Sequence, residues 1–455
     1  MLKIVVAVKF YRGDIGPFDE AALECALSVS DAEVTVIAMA PNSAKQKLEF
    51  YTRLGAERAI LISDPAYAGS DTLATAKVLA RAVKMLRPDL VLCGRQSLNG
   101  DTAQVPPQLA VFAGYGFIPY VMKFGVDTAK TRLGNIKVSL PVVMSVERIA
   151  TLRMPRIGSR VKNAEIWDNA VLQLDKEDCG TAGAKTHVLR VYEKQENRRN
   201  CAFIAAGSLH DAIINAMQKK QVIVEENTGK SEKLENICVY GEGAVSEAKK
   251  LGENIIAPKE QTPRAMADEI RRLGVRAVLF EANLKYRSVA PQVAAYLNEG
   301  LAADCIGFRV NGGRVSMYRP ASAESTVAEV VCTGDIQLAT VRCKTQGAGL
   351  VFGIGWGARG HAKQITALAE KYGAEVVSSR RVADADILPY ETQVGLTGKI
   401  IAPRVYVAFG ISGAVQHIVG IERAGTVIAV NKDKNAKIFD YADYGITEDI
   451  NNVGL

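Results

Sequence analysis

Short apolar, β-rich runs alternate with helix-length amphipathic segments along nearly the whole chain, and this alternation restricts the fold more than any other feature. Runs at 2–8, 34–40, 59–63 and 90–94 read as strands, with helices near 19–30, 44–54, 72–86 and 103–114 between them. Such an order predicts parallel sheets covered by helices, with ligands taken at the loops that follow strand ends. A second region of this kind opens at Asn236-Ile237-Cys238-Val239-Tyr240-Gly241, with further strands at 255–258 and 277–280. A third begins near Gly347, with strands at Leu350-Val351-Phe352-Gly353-Ile354, Glu375-Val376-Val377-Ser378, Val405-Tyr406-Val407-Ala408-Phe409 and Val427-Ile428-Ala429-Val430. At 455 residues the chain exceeds what one hydrophobic core usually serves, so several domains are expected.

The first two regions repeat each other. Val105-Pro106-Pro107-Gln108-Leu109-Ala110-Val111-Phe112 lines up with Val289-Ala290-Pro291-Gln292-Val293-Ala294-Ala295-Tyr296, each block following a strand. Arg53-Leu54-Gly55-Ala56 likewise echoes Lys250-Leu251-Gly252-Glu253 just before the preceding strand. Either these are two homologous domains related by pseudo-symmetry, or they share only what any two Rossmann-like units share. The polar stretch Glu225-Glu226-Asn227-Thr228-Gly229-Lys230-Ser231-Glu232-Lys233 has no apolar period and reads as a linker. The expected architecture is α/β: two pseudo-symmetric Rossmann-like parallel-sheet domains at 1–221 and 235–343, a linker at 222–234, and a third α/β domain at 344–455.

Composition narrows the classes. A chain that is 48% hydrophobic and 23% charged can bury large cores, so disorder is not expected. The opening run Leu2-Lys3-Ile4-Val5-Val6-Ala7-Val8 is too short and poorly flanked for a secretory signal, and no stretch approaches the ~20 apolar residues that span a bilayer. None of the eight cysteines forms a C-x-x-C pair, which fits a reducing cytoplasm. The four histidines, His187, His210, His361 and His417, are too dispersed for a metal site. The net charge of +7 is not concentrated in a tail and does not indicate nucleic-acid binding.

The most specific segment runs from Val405 through Gly410-Ile411-Ser412-Gly413-Ala414-Val415-Gln416-His417 and Gly420 to Val430-Asn431. A strand ends there in a Gly-Ile-Ser-Gly turn and opens a helix, so amides and a hydroxyl are offered to an anion. This run resembles the signature of the electron-transfer flavoprotein α subunit. Three further blocks resemble that family in the same order: Ser379-Arg380-Arg381, Gln393-Val394-Gly395-Leu396-Thr397-Gly398, and Ala442-Asp443-Tyr444-Gly445-Ile446-Thr447-Glu448-Asp449. The resemblance implies an FAD site made by Ser379, Thr397, Ser412, Gln416, Asn431 and Asp449, with Arg359 as a further contact. Gln393, Val394, Gly395, Leu396, Gly413, Ala414, Val415 and Ile450 are neighbours in the same segments.

The same resemblance puts Arg380 and His417 against the isoalloxazine. There a guanidinium and an imidazole donor would stabilise the negative charge that builds on the ring during one-electron reduction. Without the motif they would read as a surface arginine and a helix-capping histidine. The departure is Leu396, where the family usually has glutamine, so one polar contact to the flavin is lost.

The first half resembles the β subunit of that family. Val6-Ala7-Val8-Lys9 matches its opening and Gly16-Pro17-Phe18-Asp19-Glu20-Ala21-Ala22-Leu23-Glu24 its first helix. Gly94-Arg95-Gln96-Ser97-Leu98-Asn99-Gly100-Asp101-Thr102-Ala103-Gln104-Val105 matches its nucleotide loop. In the family this site holds AMP or, in electron-bifurcating members that oxidise NADH, a second FAD. Ala7, Asp71, Thr72, Thr75, Gly100, Asp101, Thr102 and Gln104 are the implied contacts. From spacing alone, the Gly100-Asp101-Thr102 turn is equally a phosphate site or a simple helix cap.

Asp64-Pro65-Ala66-Tyr67-Ala68-Gly69-Ser70-Asp71-Thr72-Leu73-Ala74-Thr75 is closer to the bifurcating group and favours the second FAD. The short segment between Lys9 and Gly16, and Pro106 where the family commonly has glycine, argue against it.

Arg148, Arg153, Arg156, Arg160 and Lys162 fall where the β subunit carries its loop for partner dehydrogenases, although the segment is about two residues short and lacks the Leu-Pro anchor. A solvated basic loop is the alternative. The resemblance implies an FAD electron carrier between a dehydrogenase, such as an acyl-CoA dehydrogenase, or NADH and another redox protein or quinone-linked acceptor. It oxidises NADH itself only if the second FAD is present. A nucleotide-hydrolysing enzyme of the ATP-pyrophosphatase type is a rival, but its Ser-Gly-Gly-x-Asp loop is missing from Val8-Lys9-Phe10-Tyr11. A nucleotide-sensing protein without catalysis is the third reading.

Overall fold

The computed structural model describes all residues except 98–99, 101, 194–197, 219–231, 260, 322–325, 343–348, 396–397 and 454–455. The chain forms two compact units: residues 1–191, 231–322 and 327–341 make the first, and 192–230, 323–326 and 342–455 the second.

In the first unit, strands β1 (Leu2–Ala7), β2 (Ala32–Met39), β3 (Arg58–Ile62), β4 (Leu90–Gly94), β5 (Gly116–Lys123), β6 (Thr128–Thr131), β7 (Gly134–Lys137), β8 (Val142–Val146) and β9 (Glu165–Trp167) form one sheet. Its order is β9-β3-β2-β1-β4-β8-β5-β6-β7, parallel from β9 to β5 and antiparallel at the β5–β6 and β6–β7 edge. The central strands are apolar on both faces because helices cover both, so Ile4, Val6 and Leu92 sit in one core and Val5, Val91 and Val143 in another. Helix α1 (Pro17–Leu27) follows β1, α2 (Thr72–Leu86) follows β3, and α3 (Val105–Ala113) follows β4. Chain order reverses between β1 and β4, which opens a crevice at their carboxyl ends.

Strand β10 (Thr186–Glu193) leaves this domain, and β11 (Ala202–Phe203) joins the second unit. The second domain has β12 (Leu234–Tyr240), β13 (Gly252–Ile256), β14 (Ala277–Glu281), β15 (Leu301–Cys305), β16 (Gly307–Asn311), β17 (Arg314–Ala321), β18 (Thr326–Cys332) and β19 (Gln337–Val341). Its parallel sheet runs β13-β12-β14-β19-β15, while β16, β17 and β18 join β10 in a four-stranded sheet. The central order, first strand, third-helix strand, last strand, matches β1-β4-β8-β5 with one strand-helix step fewer. The repeat in the sequence is therefore a repeat of architecture. Its two matching blocks lie on α3 and on α4 (Leu284–Leu297), which pack against each other.

The second unit has strands β20 (Leu350–Ile354), β21 (Glu375–Ser378), β22 (Val405–Phe409), β23 (Thr426–Val430) and β24 (Tyr444–Ile446), ordered β11-β24-β23-β22-β20-β21 and all parallel. Apart from β11 this is the 2-1-3-4-5 doubly wound order, with its reversal between β20 and β22. Residues 199–218, expected with the first domain, pack here. Beyond β11, helix α5 (Leu209–Gln218) buries Leu209, Ile213 and Ala216 against Phe352 and Val407. Arg199 pairs with Asp443 and donates to the Gly425 carbonyl at 3.2 Å.

Candidate functional site

Each unit gathers its motif residues at its own sheet reversal. In the first, a cavity of about 630 Å³ opens at the carboxyl ends of β1 and β4, within the usual range of small-molecule sites. Ala7, Asp71, Thr72, Thr75, Gly100, Thr102 and Gln104 all line it; Asp101 lies outside the described residues. Three chain segments thus converge, because β1 and β4 end, and α2 begins, on one side of the sheet.

Several of these side chains also hold the protein together. Asp71 caps α2 through Ala74 N at 3.0 Å, and its other oxygen accepts from Lys185 N, Thr186 N and Thr186 Oγ1, each at 2.9 Å. Thr72 Oγ1 donates to Gln104 Oε1 at 2.6 Å, and Gln104 Nε2 to the Leu301 carbonyl of the second domain at 2.9 Å. Pro106 stands in the first turn of α3, where its missing N–H costs no helical bond.

The cavity also has walls beyond the implied contacts. Lys9, Asp19 and Arg95 come from the first domain, Thr186, His187 and Val188 from β10, and Leu301, Ala302, Arg319 and Val330 from the second. Asp19 is buried at the start of α1; burial pushes its carboxyl up to about 7, against the pull of the Lys9 and Gly94 amides. Burial also lowers the Lys9 ammonium, partly offset by Asp19. Arg95 pairs with buried Glu147 at 3.2 Å, and Arg132 shares that carboxylate at 2.9 Å. Lys9 and Asp19 fall inside the blocks that resemble the β subunit and were legible there, whereas Arg319 is linked to the cavity only by the topology.

In the second unit the loops after β20, β21, β22 and β23 carry Arg359, Ser379, Ser412 to Gln416, and Asn431 respectively. The chain passes so tightly here that side chains are excluded: Gly410 has φ +60 and a Cβ on it would collide with Ala358 N, and one on Gly413, φ +82, would collide with Ile438 N. Ser412, Ala414, Val415 and Gln416 are exposed around this turn. Asn431 staples it, donating from Nδ2 to the Ile411 carbonyl at 2.9 Å and accepting from Asp433 N at 3.0 Å.

Cations gather at the same edge. The guanidiniums of Arg359 and Arg381 lie 4.6 and 4.3 Å from the Trp356 ring centroid, and Arg380 pairs with Asp384 at 3.4 Å. Ser379 is the N-cap of the short helix Arg380–Asp384. Gln393 and Val394 are buried, and Gly395 presses on the Gln416 carbonyl where a Cβ would collide. Leu396 and Thr397 lie outside the described residues. Asp449 accepts from Asn451 N at 3.0 Å, which holds its carboxyl below the usual range, and Ile450 is buried.

Two features differ from the sequence expectation. The helix opened by the Gly-Ile-Ser-Gly turn spans only Val415–Ile421, so its dipole is short. His417 is buried with Nε2 2.9 Å from Tyr406 Oη, and burial holds the imidazole down at about 4, the Val394 carbonyl opposing. It is a neutral ring bonded to protein, and a donor role from Nε2 toward a ligand needs that bond exchanged. The exposed turn and the three arginines nonetheless fit an anionic, aromatic group such as FAD.

The basic segment after Arg148 is half tied down. Arg153 pairs with Glu24 at 2.8 Å and Lys162 with Glu57 at 2.6 Å, while Met154 and Ile157 are exposed. Among the described residues no helix is long and apolar enough to cross a membrane.

Residues 4–170 and 247–349 match the electron transfer flavoprotein domain, and 345–422 match the electron transfer flavoprotein FAD-binding domain. The chain is 37% identical over 199 residues to the electron transfer flavoprotein subunit beta of Clostridium acetobutylicum, covering 40% of this chain and 76% of that one. It is 31% identical over 217 residues to the subunit alpha of Bacillus subtilis, covering 38% and 67%. Over 88 residues it is 52% identical to the mitochondrial subunit alpha of Oryza sativa subsp. indica, covering 19% and 25%. The chain belongs to the electron transfer flavoprotein family and carries that family's FAD-binding domain in its second unit.

Proposed function

We propose that this single chain does the work of both subunits of an electron transfer flavoprotein, with FAD in the second unit and a second nucleotide in the cavity of the first. The convergence of Ala7, Asp71, Thr72, Thr75, Gly100, Thr102 and Gln104 on one cavity carries the second half of this reading. FAD in the second unit supplies one-electron acceptance and release between redox partners.

The residues divide the work of holding it. The Gly410–Ala414 turn and Ser379 bring the backbone close enough to hydrogen-bond an anionic linker. Arg380, with Arg359 and Arg381 on Trp356, sets a positive potential that favours added negative charge in a partly dry site. His417, neutral and buried, contributes orientation and a dipole rather than a charge.

For the first cavity a second FAD is favoured over AMP. The long Asp64–Thr75 match contributes polar groups, whereas the amide lost at Pro106 costs about 1–3 kcal/mol. Electrons would arrive from a dehydrogenase or from NADH and leave to another redox protein or a quinone-linked acceptor. The purified protein is expected to be yellow, and a two-FAD preparation to be bleached by NADH in stopped flow. No bleaching of such a preparation would remove the NADH-oxidising, bifurcating reading while leaving the carrier.

A further inference from the structure

Among the described residues three cations line the cavity of the first unit, and one of them has no carboxylate partner. Arg95 is held by Glu147 at 3.2 Å, and Lys9 stands beside Asp19. Arg319, which β17 of the second domain extends into the cavity, pairs with no carboxylate among the described residues. Its Nη2 reaches the Gly100 carbonyl at a long 3.4 Å, and its Nε is buried without a hydrogen-bond partner among the described residues. A buried guanidinium nitrogen left without an acceptor is costly unless a ligand supplies one.

The place it points to is specific. Lys9 Nζ lies 3.9 Å from where a Cβ on Gly100 would sit, so cations from both pseudo-symmetric domains flank the same glycine. The acids of the cavity do not cancel them. Both Asp71 oxygens are taken by Ala74, Lys185 and Thr186, and Asp19 is pushed toward its neutral form by burial. A guanidinium held by one long hydrogen bond, with an ammonium near the same glycine, suits a phosphate, whose oxygens accept charge-assisted bonds from both.

We infer that Arg319 recognises the phosphate of the nucleotide held in the first domain's cavity, so that binding there needs both domains. This rests on the reading of the cavity as a nucleotide site. Arg319 is then a binding residue that selects phosphorylated ligands over bare nucleosides, and the second domain is part of the first domain's site.

The test is calorimetric titration of the full chain, freed of bound nucleotide, with AMP, ADP and adenosine. Arg319→Met keeps most of the apolar stem and removes the fork. It is expected to weaken AMP and ADP by roughly ten- to a hundredfold and leave adenosine unchanged. Arg319→Lys, which keeps the charge, should fall between, and it carries the test if the Met variant does not fold. Equal losses for AMP and adenosine would mean that Arg319 only packs, and unchanged AMP affinity would also overturn the inference. Wild-type chain that binds none of AMP, ADP and FAD at this cavity would remove the nucleotide reading itself, and the inference with it.

Discussion

The two pseudo-symmetric domains of the first unit share a sheet order, yet only the first places a nucleotide-type loop on its third helix-bearing strand. In the first, β4 ends at Gly94 and α3 begins at Val105, leaving ten residues of loop over the crevice. In the second, β14 ends at Glu281 and α4 begins at Leu284, capped by Asn283 through Tyr286 N at 2.9 Å. The matched prolines record the change: Pro107 lies in the first turn of α3, whereas Pro291 lies inside α4. The same architecture thus makes a cavity or fills it, according to where one helix starts. The filled domain then lends Leu301 and Arg319 to the open one.

Exchanging the strand-end residues should have the largest effect. Gly94 lets α1 approach so closely that a Cβ would lie 2.8 Å from Asp19 N and Phe18 C. Gly94→Glu, which installs the second domain's residue, is expected to cost more than about 4 kcal/mol in chemical unfolding. The reciprocal Glu281→Gly loses the 3.3 Å bond from Gly243 N and some strand rigidity, about 1 kcal/mol. Equal costs would mean that the two strand ends are equivalent after all.

The cavity acid gives the open domain a pH signature. Asp19 keeps its proton to about 7 when folded, against an ordinary value of 3.8. Between these values the native state holds a proton that the unfolded chain has released. Stability from this group is therefore complete below about pH 4 and is lost as pH rises through 7, by roughly 2–4 kcal/mol. His417 acts in the opposite sense: with its pKa lowered from 6.5 to about 4, its contribution is present above 6.5 and lost as pH falls through 4. Asp19→Asn should abolish the fall toward pH 7 and keep the acid-side loss. An unaltered stability-versus-pH curve would show that Asp19 is not the group responsible.

Helix caps sharpen the contrast on a smaller scale. Asp71 caps α2 and also accepts from Lys185 and Thr186, so Asp71→Ala should cost about 2–3 kcal/mol. Thr262, capping the matching helix of the second domain through Ala265 N at 3.4 Å, should cost under about 1 kcal/mol when replaced by alanine. An effect of similar size is expected in the other unit. Arg380→Ala should lower the first one-electron potential by roughly 40 mV, about 1 kcal/mol, because its charge is shared with Asp384. An unchanged potential in a spectroelectrochemical titration would move that role to Arg359 or Arg381.

How much of this could be read in the sequence depended on how local the signal was. The strand at Leu2–Ala7, the helix at Thr72–Leu86 and the turn at Gly410–Ala414 were legible because apolar period, caps and glycines lie side by side in the chain. The block Val105–Phe112 disclosed the repeat because two copies of one packing surface keep one pattern. What could not be read was long-range: that residues 199–218 complete the second unit's sheet and core, that Tyr406 would bond His417, and that Arg319 would reach Gly100 from 219 positions away. Strand order, not local pattern, decides those meetings.

Whether each unit holds a nucleotide is decided by denaturing the purified protein and quantifying the released cofactors against chain concentration. Two FAD per chain and no AMP are expected. One FAD with one AMP would keep the cavity as a nucleotide site but make the protein a simple carrier. One FAD and no second nucleotide would contradict the claim, leaving the cavity of the first unit without the ligand that its residues suit.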